Sequence, residues 1–390
     1  MDPVRNPFAP GAGNPPPELA GRDSILHAAD IALQRILLGR HSKSQILLGL
    51  RGVGKTVLLR KLEAMAQGHG YQTSFIEAPE NKSLVELLYP KIHQVLRKLS
   101  SIENAKMMSL NAMRTLRSFA KTFKISIEDI SISVDPEIGS ADSGILEYDL
   151  SELFIRVGET AKAAGKGWCL FIDEVQYLSK EELSALIVGI HHSNQKSLPI
   201  MFFGAGLPQV AALSGDAKSY AERLFDYPPV GALDAAAAVA AIKQPILEEE
   251  ERITEEALVS IIEKTKGYPF FLQEWGFQVW NIADQSPISP QDVEQATPIA
   301  LNRLDDSFFR VRFERLTPKE RDYVCAMARL GKGPYRSADV ADIMGENIQK
   351  LGSCRSQIIN KGMIYSPSHG DIAFTVPLFE EYLMRTHGIK

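Results

Sequence analysis

Gly49-Leu50-Arg51-Gly52-Val53-Gly54-Lys55-Thr56 is a complete G-x-x-x-x-G-K-[ST] phosphate loop, and the apolar run Ile46-Leu47-Leu48 before it reads as the strand such a loop must follow. The glycines let the backbone curl so that successive N–H groups point into one concavity, and the start of the following helix adds partial positive charge there. That concavity fits a polyphosphate. Lys55 is placed to reach the β- and γ-phosphates, and Thr56 to offer a hydroxyl to Mg²⁺. Val57-Leu58-Leu59-Arg60-Lys61-Leu62 continues as an amphipathic helix, which gives the loop its strand-loop-helix setting. The implied ligand is a nucleoside triphosphate, and its binding set is Gly49, Gly52, Val53, Gly54, Lys55, Thr56 and Val57.

A second motif adds chemistry to binding. Gly167-Trp168-Cys169-Leu170-Phe171-Ile172-Asp173-Glu174 is an apolar run ending in two acids, as expected of a buried parallel strand whose C-terminal tip faces the ligand. Asp173 is the expected partner of Mg²⁺ through water, together with Thr56. Glu174 is placed to orient and polarise an attacking water, which turns a binder into a hydrolase.

With 390 residues, 45% apolar and 23% charged, the chain has globular composition and room for two or three domains. A net charge of −5 gives no global pull toward nucleic acid, so any such contact needs a local patch. Cys169, Cys325 and Cys354 lie far apart, without zinc spacing or an even count, which fits a reducing cytoplasm. No apolar run reaches the length of a membrane span, and the first residues do not read as a signal peptide.

Residues 1 to about 18 hold six prolines among glycines and are expected to lie extended as a strap or tail rather than as a helix. A helix from Ile25 to Leu38 leads into the phosphate-loop strand. Thr73–Ala78 reads as a second parallel strand and Ser83–Leu99 as a helix, completing a βαβα pattern. About 118 residues separate Lys55 from Asp173, more than these elements require, so an insertion is expected at about 100–148. Within it, residues 124–134 alternate apolar and polar side chains around Glu128-Asp129, as in a hairpin. That hairpin either touches a partner or DNA, or covers the sheet edge and neighbouring helices. Asp149 or Ser151 is the expected cap of the next helix, and Ser179 with Glu182 forms a capping box for another running to about His192. Adjacent His191 and His192 point about 100° apart on that helix and lack a third ligand, which argues against a metal site. Pro199–Gly204 is the next buried strand.

Together these residues resemble the AAA+ ATPases, in the branch shared by the initiator-like (origin-recognition) ATPases and the STAND signalling ATPases. The resemblance covers most of the chain and implies ATP/ADP with Mg²⁺ as ligands. Leu19-Ala20-Gly21-Arg22-Asp23 is similar to the segment that contacts adenine in that family, so Gly21 and Arg22 carry over as adenine-side residues. Ser219–Phe225 looks like the segment that often holds an arginine finger, which makes Arg223 the candidate. Such a finger acts on a neighbour's nucleotide, so it implies a homo-oligomer. Gly267-Tyr268-Pro269 is similar to the G-x-P element of the family's helical lid, and adds Pro269 to the nucleotide set. Two departures stand out. The strand tip that carries a polar sensor in the family reads Gly204-Ala205-Gly206-Leu207-Pro208-Gln209 here, with Gln209 the nearest candidate and Ser193 and Asn194 at the other end. After Pro269, Gln273 and Glu274 stand where a sensor arginine is expected. Weak sensors favour slow turnover or a switch over a fast motor.

From Leu316 the chain reads as three helices (Thr317–Leu330, Ser337–Met344, Asn347–Asn360), a hairpin turning at His369-Gly370-Asp371, and a helix opening at Pro377. This is the order of a winged helix. The expected divisions are a strap at 1–18, a P-loop ATPase domain at 19–232, a lid at 233–315 and a winged helix at 316–390. The fold class is thus α/β, a P-loop parallel sheet with helices on both faces, followed by the lid and the winged helix. Lys350, Arg355, Gln357 and Lys361 are the polar side chains of the third helix able to reach duplex DNA. The segment's ten Lys/Arg and eight Asp/Glu are close to balance, however.

Two functions follow from that resemblance. In one, a nucleotide-dependent ATPase switch closes on duplex DNA through its winged helix. In the other, a STAND-like switch uses the winged helix for autoinhibition and assembly with a protein partner.

Overall fold

Apolar runs bounded by turn residues become β1 (Ser44–Leu48), β2 (Tyr71–Glu77), β3 (Gly167–Asp173), β4 (Ile200–Gly206) and β5 (Phe225–Asp226). They pair, all in parallel, in the order β2-β3-β4-β1-β5. This order places β1, which feeds the phosphate loop, beside β4, with β4 alone between it and β3. The structure is a computed structural model and describes residues 1–11, 19–78, 82–125 and 135–388. The chain forms two units, Asp23–Gly49 with Lys55–Pro229, and Met1–Arg22 with Leu50–Gly54 and Val230–Lys390.

The first unit wraps its sheet with helices α1 (Asp23–Leu37), α2 (Lys55–Gly68), α3 (Leu84–Leu99), α4 (Lys106–Thr122), α5 (Leu146–Ala163), α6 (Lys180–Gln195), α7 (Val210–Ala217) and α8 (Ala221–Leu224). Both faces of β3 are covered, so every residue of the strand is buried. Trp168, Leu170 and Ile172 join a cluster with α3, α4, α5 and α6. On the opposite face Phe171 stacks between Phe75 and Phe203, and the guanidinium of Arg60 on α2 lies over Phe75.

α5 starts three residues before Asp149, which corrects its expected role as a cap. From inside the first turn the Asp149 carboxylate reaches back and accepts from the Ser143 and Gly144 amides at 3.1 and 2.9 Å. Ser151 is also inside the helix, its hydroxyl 2.7 Å from His192 Nδ1. The capping box of Ser179 and Glu182 is present at the start of α6. The alternating segment expected as a hairpin lies, from residue 126 to 134, outside the described residues.

In the second unit, α9 (Ala235–Glu248), α10 (Glu255–Thr265), α11 (Pro269–Ile282) and α12 (Pro290–Arg303) bury Phe271, Trp275 and Trp280. Residues 1–9 lie along α11. Asn6 Nδ2 donates to the Phe277 carbonyl at 3.0 Å, and Trp280 Nε1 donates to the Asp2 carbonyl at 2.8 Å. Pro3–Arg5 make a single 3₁₀ turn capped by Asp2, a correction to the wholly extended expectation. Proline is suited to a first helical position, where no N–H bond is needed. Residues 12–18 of the proline-rich segment lie outside the described residues.

A π-helical segment, Leu304–Phe309, leads through α13 (Arg310–Glu314) to α14 (Pro318–Arg329). Then come β6 (Tyr335–Arg336), α15 (Ser337–Met344), α16 (Ile348–Asn360), β7 (Ile364–Tyr365), β8 (Asp371–Phe374) and α17 (Phe379–His387). The three strands pair antiparallel in the order β6-β8-β7. α17 starts two residues later than Pro377 because Leu378 takes a left-handed conformation, φ 63°, and turns the chain first. Phe309 stacks on Tyr382 at 5.2 Å and contacts Phe379 at 5.9 Å, tying the π-helical segment to α17. No helix among the described residues is long and apolar enough to cross a membrane.

Candidate nucleotide site

In the first unit, the end of β1 and the start of α2 hold Gly49 and Lys55 close. Lys55 is buried, and its Nζ donates to the Gly49 carbonyl at 2.9 Å. Thr56, one residue on, donates its hydroxyl to Asp173 Oδ2 at 2.5 Å. The parallel sheet makes this meeting, since β1 and β3 end on the same edge. Asp173 also accepts the Glu174 amide on Oδ1 at 2.9 Å. Burial pushes the Asp173 carboxyl upward and the neighbouring Glu174 adds to it, while Thr56 and Lys55 pull it down. A buried carboxylate beside a threonine hydroxyl is a set of hard oxygen donors of the kind Mg²⁺ takes with its waters. The donor set therefore fits the cation expected with a nucleotide.

Glu174 lies just beyond the strand in the left-handed region, φ 56° and ψ 42°. A non-glycine residue there costs on the order of 1–3 kcal/mol and persists only where its surroundings hold it. Here the holder is Gln176, whose Nε2 donates to Glu174 Oε2. The other end of the same amide, Oε1, accepts the Leu207 amide at 3.1 Å. Gln176 thus bridges the acid to the tip of β4. Gly206 makes room for it, because a Cβ there would come within 2.8 Å of Gln176 Oε1 and 2.7 Å of Val210. The β4 tip has no sensor side chain of its own, and Gln176 is the polar group that meets it. Sequence reasoning missed this residue, although its place two positions after Glu174 was the available signal.

Gln209 stands in the turn before α7 with its Oε1 buried and without a hydrogen-bond partner among the described residues. Ser193 is buried in α6, where its hydroxyl returns to the Gly189 carbonyl at 2.7 Å. Arg223 is exposed on α8, with no ion pair among the described residues. His191 packs its ring 4.6 Å from Tyr220, His192 is hydrogen-bonded to Ser151, and among the described residues neither belongs to a cluster able to hold a metal ion.

The second unit contains the middle of the loop, Leu50–Gly54, with Gly21, Arg22 and Pro269, the residues expected beside adenine and in the lid. The Arg51 amide donates to the Thr375 carbonyl at 3.2 Å, and the Arg51 carbonyl accepts from the Tyr268 hydroxyl. The Gly52 carbonyl accepts the Phe270 amide at 3.2 Å. Val53 is buried, and its carbonyl lies 3.4 Å from Arg22 Nη2, which also donates to the Gly231 carbonyl at 2.5 Å. Arg22 is itself buried, which works against its charge, while Asp234 works in favour. Gly21 precedes it in a left-handed turn, and Pro269 occupies the first turn of α11. Gln273 and Glu274 have other partners. Gln273 Oε1 accepts the Ala9 amide at 3.3 Å, and buried Glu274 accepts from Gln278 at 2.8 Å and pairs with Arg303 at 3.4 Å.

Of the four side chains offered to DNA, three on α16 and Lys361 just beyond it, two are committed within the C-terminal helices. Lys361 Nζ lies 2.6 Å from Glu320 Oε2, and Arg355 Nη1 donates to Ser337 Oγ at 3.0 Å. Lys350 and Gln357 are exposed.

A parallel sheet with a phosphate loop after β1 and an acid pair at the end of β3 defines the P-loop class of nucleotide-binding proteins. Residues 18–203 match the AAA ATPase domain family, and residues 306–383 match a domain of unknown function (DUF8462). The segment that carries both site motifs is therefore an AAA+ P-loop domain. A search of curated proteins found no match. Among solved structures the chain is similar to the Walker-type ATPase PABY2304 of Pyrococcus abyssi, at 17% identity and a TM-score of 0.58, covering 94% of this chain and 96% of that one. It is also similar to the Orc1 protein of Aeropyrum pernix in complex with DNA, at 13% identity, TM-score 0.49 and coverage of 98% and 96%. The RuvB Holliday junction branch migration motor of Thermotoga maritima matches at 14% identity, TM-score 0.46 and coverage of 96% and 98%. The Pyrococcus likeness shows a shared fold; the other two are too distant to say more.

Proposed function

We propose that this protein binds ATP with Mg²⁺ and hydrolyses it slowly, working as a nucleotide-dependent switch. The observation that carries the reading is the hydrogen bond from Thr56 to the buried Asp173, beside a buried Lys55. When bound, magnesium would neutralise charge on the β- and γ-phosphates. Lys55 would leave the Gly49 carbonyl for those phosphates, since the ammonium gains far more from an anion than from a neutral carbonyl. Asp173 and Thr56 would hold the cation's shell. Glu174 would orient the attacking water, with Gln176 fixing its carboxylate. Arg223, exposed and without an ion pair among the described residues, is the side chain to be offered to a neighbour's nucleotide in an oligomer.

A second reading has its own observation. We read the elements from α14 to α17 as a winged-helix module, and its Thr375 carbonyl holds the amide of Arg51 in the phosphate loop. An amide turned to that carbonyl is not turned to a phosphate. This favours a STAND-like switch, in which the winged helix restrains the loop until exchange for ATP releases it to a protein partner. It also fits the commitment of Lys361 and Arg355 to intramolecular bonds.

The test is ATP turnover by the purified protein over a range of concentrations, with and without duplex DNA, beside Glu174→Gln. Turnover that rises with protein concentration supports an oligomer completed by Arg223. Near-zero turnover with tightly retained nucleotide supports the restrained switch. A protein that retains no nucleotide at all would remove both readings.

A further inference from the structure

The charge of this chain is unevenly placed. Residues 82–125 hold nine lysines and arginines against two acids, a balance of +7, while the rest of the chain stands at −12. This segment is the pair α3 and α4, which pack together through a hydrogen bond of 2.6 Å from the Ser109 hydroxyl to the Leu96 carbonyl. Both helices turn their apolar faces to the same core cluster, through Leu88, Ile92 and Leu96 on α3 and Leu116 and Phe119 on α4. Their basic side chains are therefore turned away from that core.

The arrangement within each helix is regular. At 100° per residue, Lys106, Arg114 and Lys121 fall within about 80° of one another on α4, along about 22 Å of axis. Lys91 and Lys98 fall within about 20° on α3, and Arg97 points about 100° round from Lys98. Arg97, Lys98, Lys106, Arg114 and Lys121 are exposed and Lys91 is half-buried. None of these six has an ion pair among the described residues. Of the acids on neighbouring elements, Glu137 and Glu152 both face Arg156, at 3.8 and 3.9 Å. Like charges spread along one helix face repel one another weakly, screened by salt at separations of about 10 Å. A polyanion laid along the face would turn that repulsion into attraction.

We infer that the outer face of α3 and α4 is a docking surface for the phosphate backbone of duplex nucleic acid. The duplex fits better than a single strand because binding single strands calls for aromatic side chains on which bases stack. The large exposed apolar side chains of these helices are Met107 and Met108, with no aromatic among them. A stripe of lysine and arginine meets phosphates, which positions a duplex without reading its sequence. This surface shares no residue with the nucleotide site, so its occupancy is measurable with no nucleotide present.

The experiment is fluorescence anisotropy of a labelled mixed-sequence duplex titrated with the full chain, without ATP, at several salt concentrations. The comparison is with K106E/R114E/K121E, and with K106Q/R114Q/K121Q in case reversed charge disturbs folding. The parent should bind, and either variant should bind at least tenfold more weakly at about 50 mM salt. The slope of log affinity against log salt should become shallower by about 2.7, for three lost phosphate contacts. Far-UV circular dichroism and the melting temperature should match the parent, because the three side chains are exposed. Failure of the parent to bind duplex, unchanged affinity and slope in the folded variants, or equal affinity for a single strand would each overturn the inference. Loss of binding in Lys350→Glu without loss in either triple variant would place the surface on α16 instead. ATP turnover, measured separately, decides the nucleotide reading whatever the anisotropy shows.

Discussion

The side-chain amide of Gln176 donates to the carboxylate of Glu174 and accepts from the backbone amide of Leu207, so one residue couples the acid after β3 to the tip of β4. The tip itself reads Gly-Leu-Pro-Gln and presents no polar side chain before Gln209. If Glu174 orients the attacking water as proposed, Gln176 acts through it as a positioning residue. Gln176→Ala should lower kcat about tenfold, equivalent to about 1.4 kcal/mol of transition-state stabilisation, with KM for ATP unchanged. Gln176→Glu, which sets a second carboxylate against Glu174, should lower it further. Steady-state turnover over a range of ATP concentrations separates the two parameters, and a rise in KM at constant kcat would assign Gln176 to binding instead.

Lys55→Ala and Glu174→Gln should fail in different ways. Loss of the ammonium removes the main charge for the β- and γ-phosphates, so Lys55→Ala should not retain nucleotide through gel filtration. Glu174→Gln keeps the shape of the side chain and loses its negative charge, so ATP should stay bound while turnover drops by at least about a hundredfold. Hydrolysis by Glu174→Gln at the parent rate would remove Glu174 from the chemistry.

The strands, the phosphate loop and the acid pair were legible because each has a local cause. Ile46-Leu47-Leu48 and Gly167–Ile172 are short apolar runs closed by residues of fixed chemistry, and the capping box at Ser179 and Glu182 names its own helix. What was hidden depends on contacts distant in sequence. Gln176 is an ordinary polar residue until Leu207 is brought beside it by the pairing of β3 and β4. Lys361 reads as a DNA-facing side chain until Glu320, on α14, is set against it. The start of α5 was displaced because Asp149 serves the preceding loop from inside the helix, a use of aspartate that resembles a cap in sequence. The basic face of α3 and α4 was diluted in a chain whose net charge is −5, and no strict alternation marks it as residues 124–134 are marked.

Two glycine-to-alanine substitutions should move stability in opposite directions. Gly267 has φ +67°, and a Cβ there would lie 2.6 Å from the Leu233 carbonyl oxygen. Leu233 cannot simply withdraw, since its amide donates back to the Gly267 carbonyl at 2.9 Å. Left-handed backbone costs an L residue about 1–2 kcal/mol before the overlap is counted, so Gly267→Ala should destabilise by at least about 2 kcal/mol. Gly352 lies inside α16 with open space where its Cβ would be. Gly352→Ala should stabilise by about 0.5–1 kcal/mol, because glycine is the more flexible residue in the unfolded chain. Urea unfolding followed by tryptophan fluorescence and circular dichroism reads both changes. A neutral Gly267→Ala would mean that the turn ahead of Tyr268 relaxes freely.

The pair of Lys361 and Glu320 should make the C-terminal helices sensitive to acid. Glu320 is 2% exposed in its side chain, and its Oε2 accepts from Lys361 Nζ and from the Thr317 amide, both at 2.6 Å. Burial alone would push the carboxyl up, but the bonds from Lys361 and Thr317 outweigh it, and the group is held below its ordinary value of 4.5. A carboxyl depressed in the folded state adds stability that is whole above its unfolded value and disappears as pH falls through the folded one. The melting temperature should therefore hold between neutral pH and about pH 5 and decline below about pH 4.5, the window set by that shift. Lys361→Ala removes the cation and leaves a buried carboxylate short of a donor, which should cost about 1–3 kcal/mol near neutral pH. Lowering the pH should narrow the gap between Lys361→Ala and the parent, because protonated Glu320 no longer needs the ammonium. Adding Glu320→Gln to Lys361→Ala should recover part of the loss and flatten the acid response. If Lys361→Ala melts at the parent temperature across the whole range, the lysine is free to serve a ligand and the pair does not brace the module.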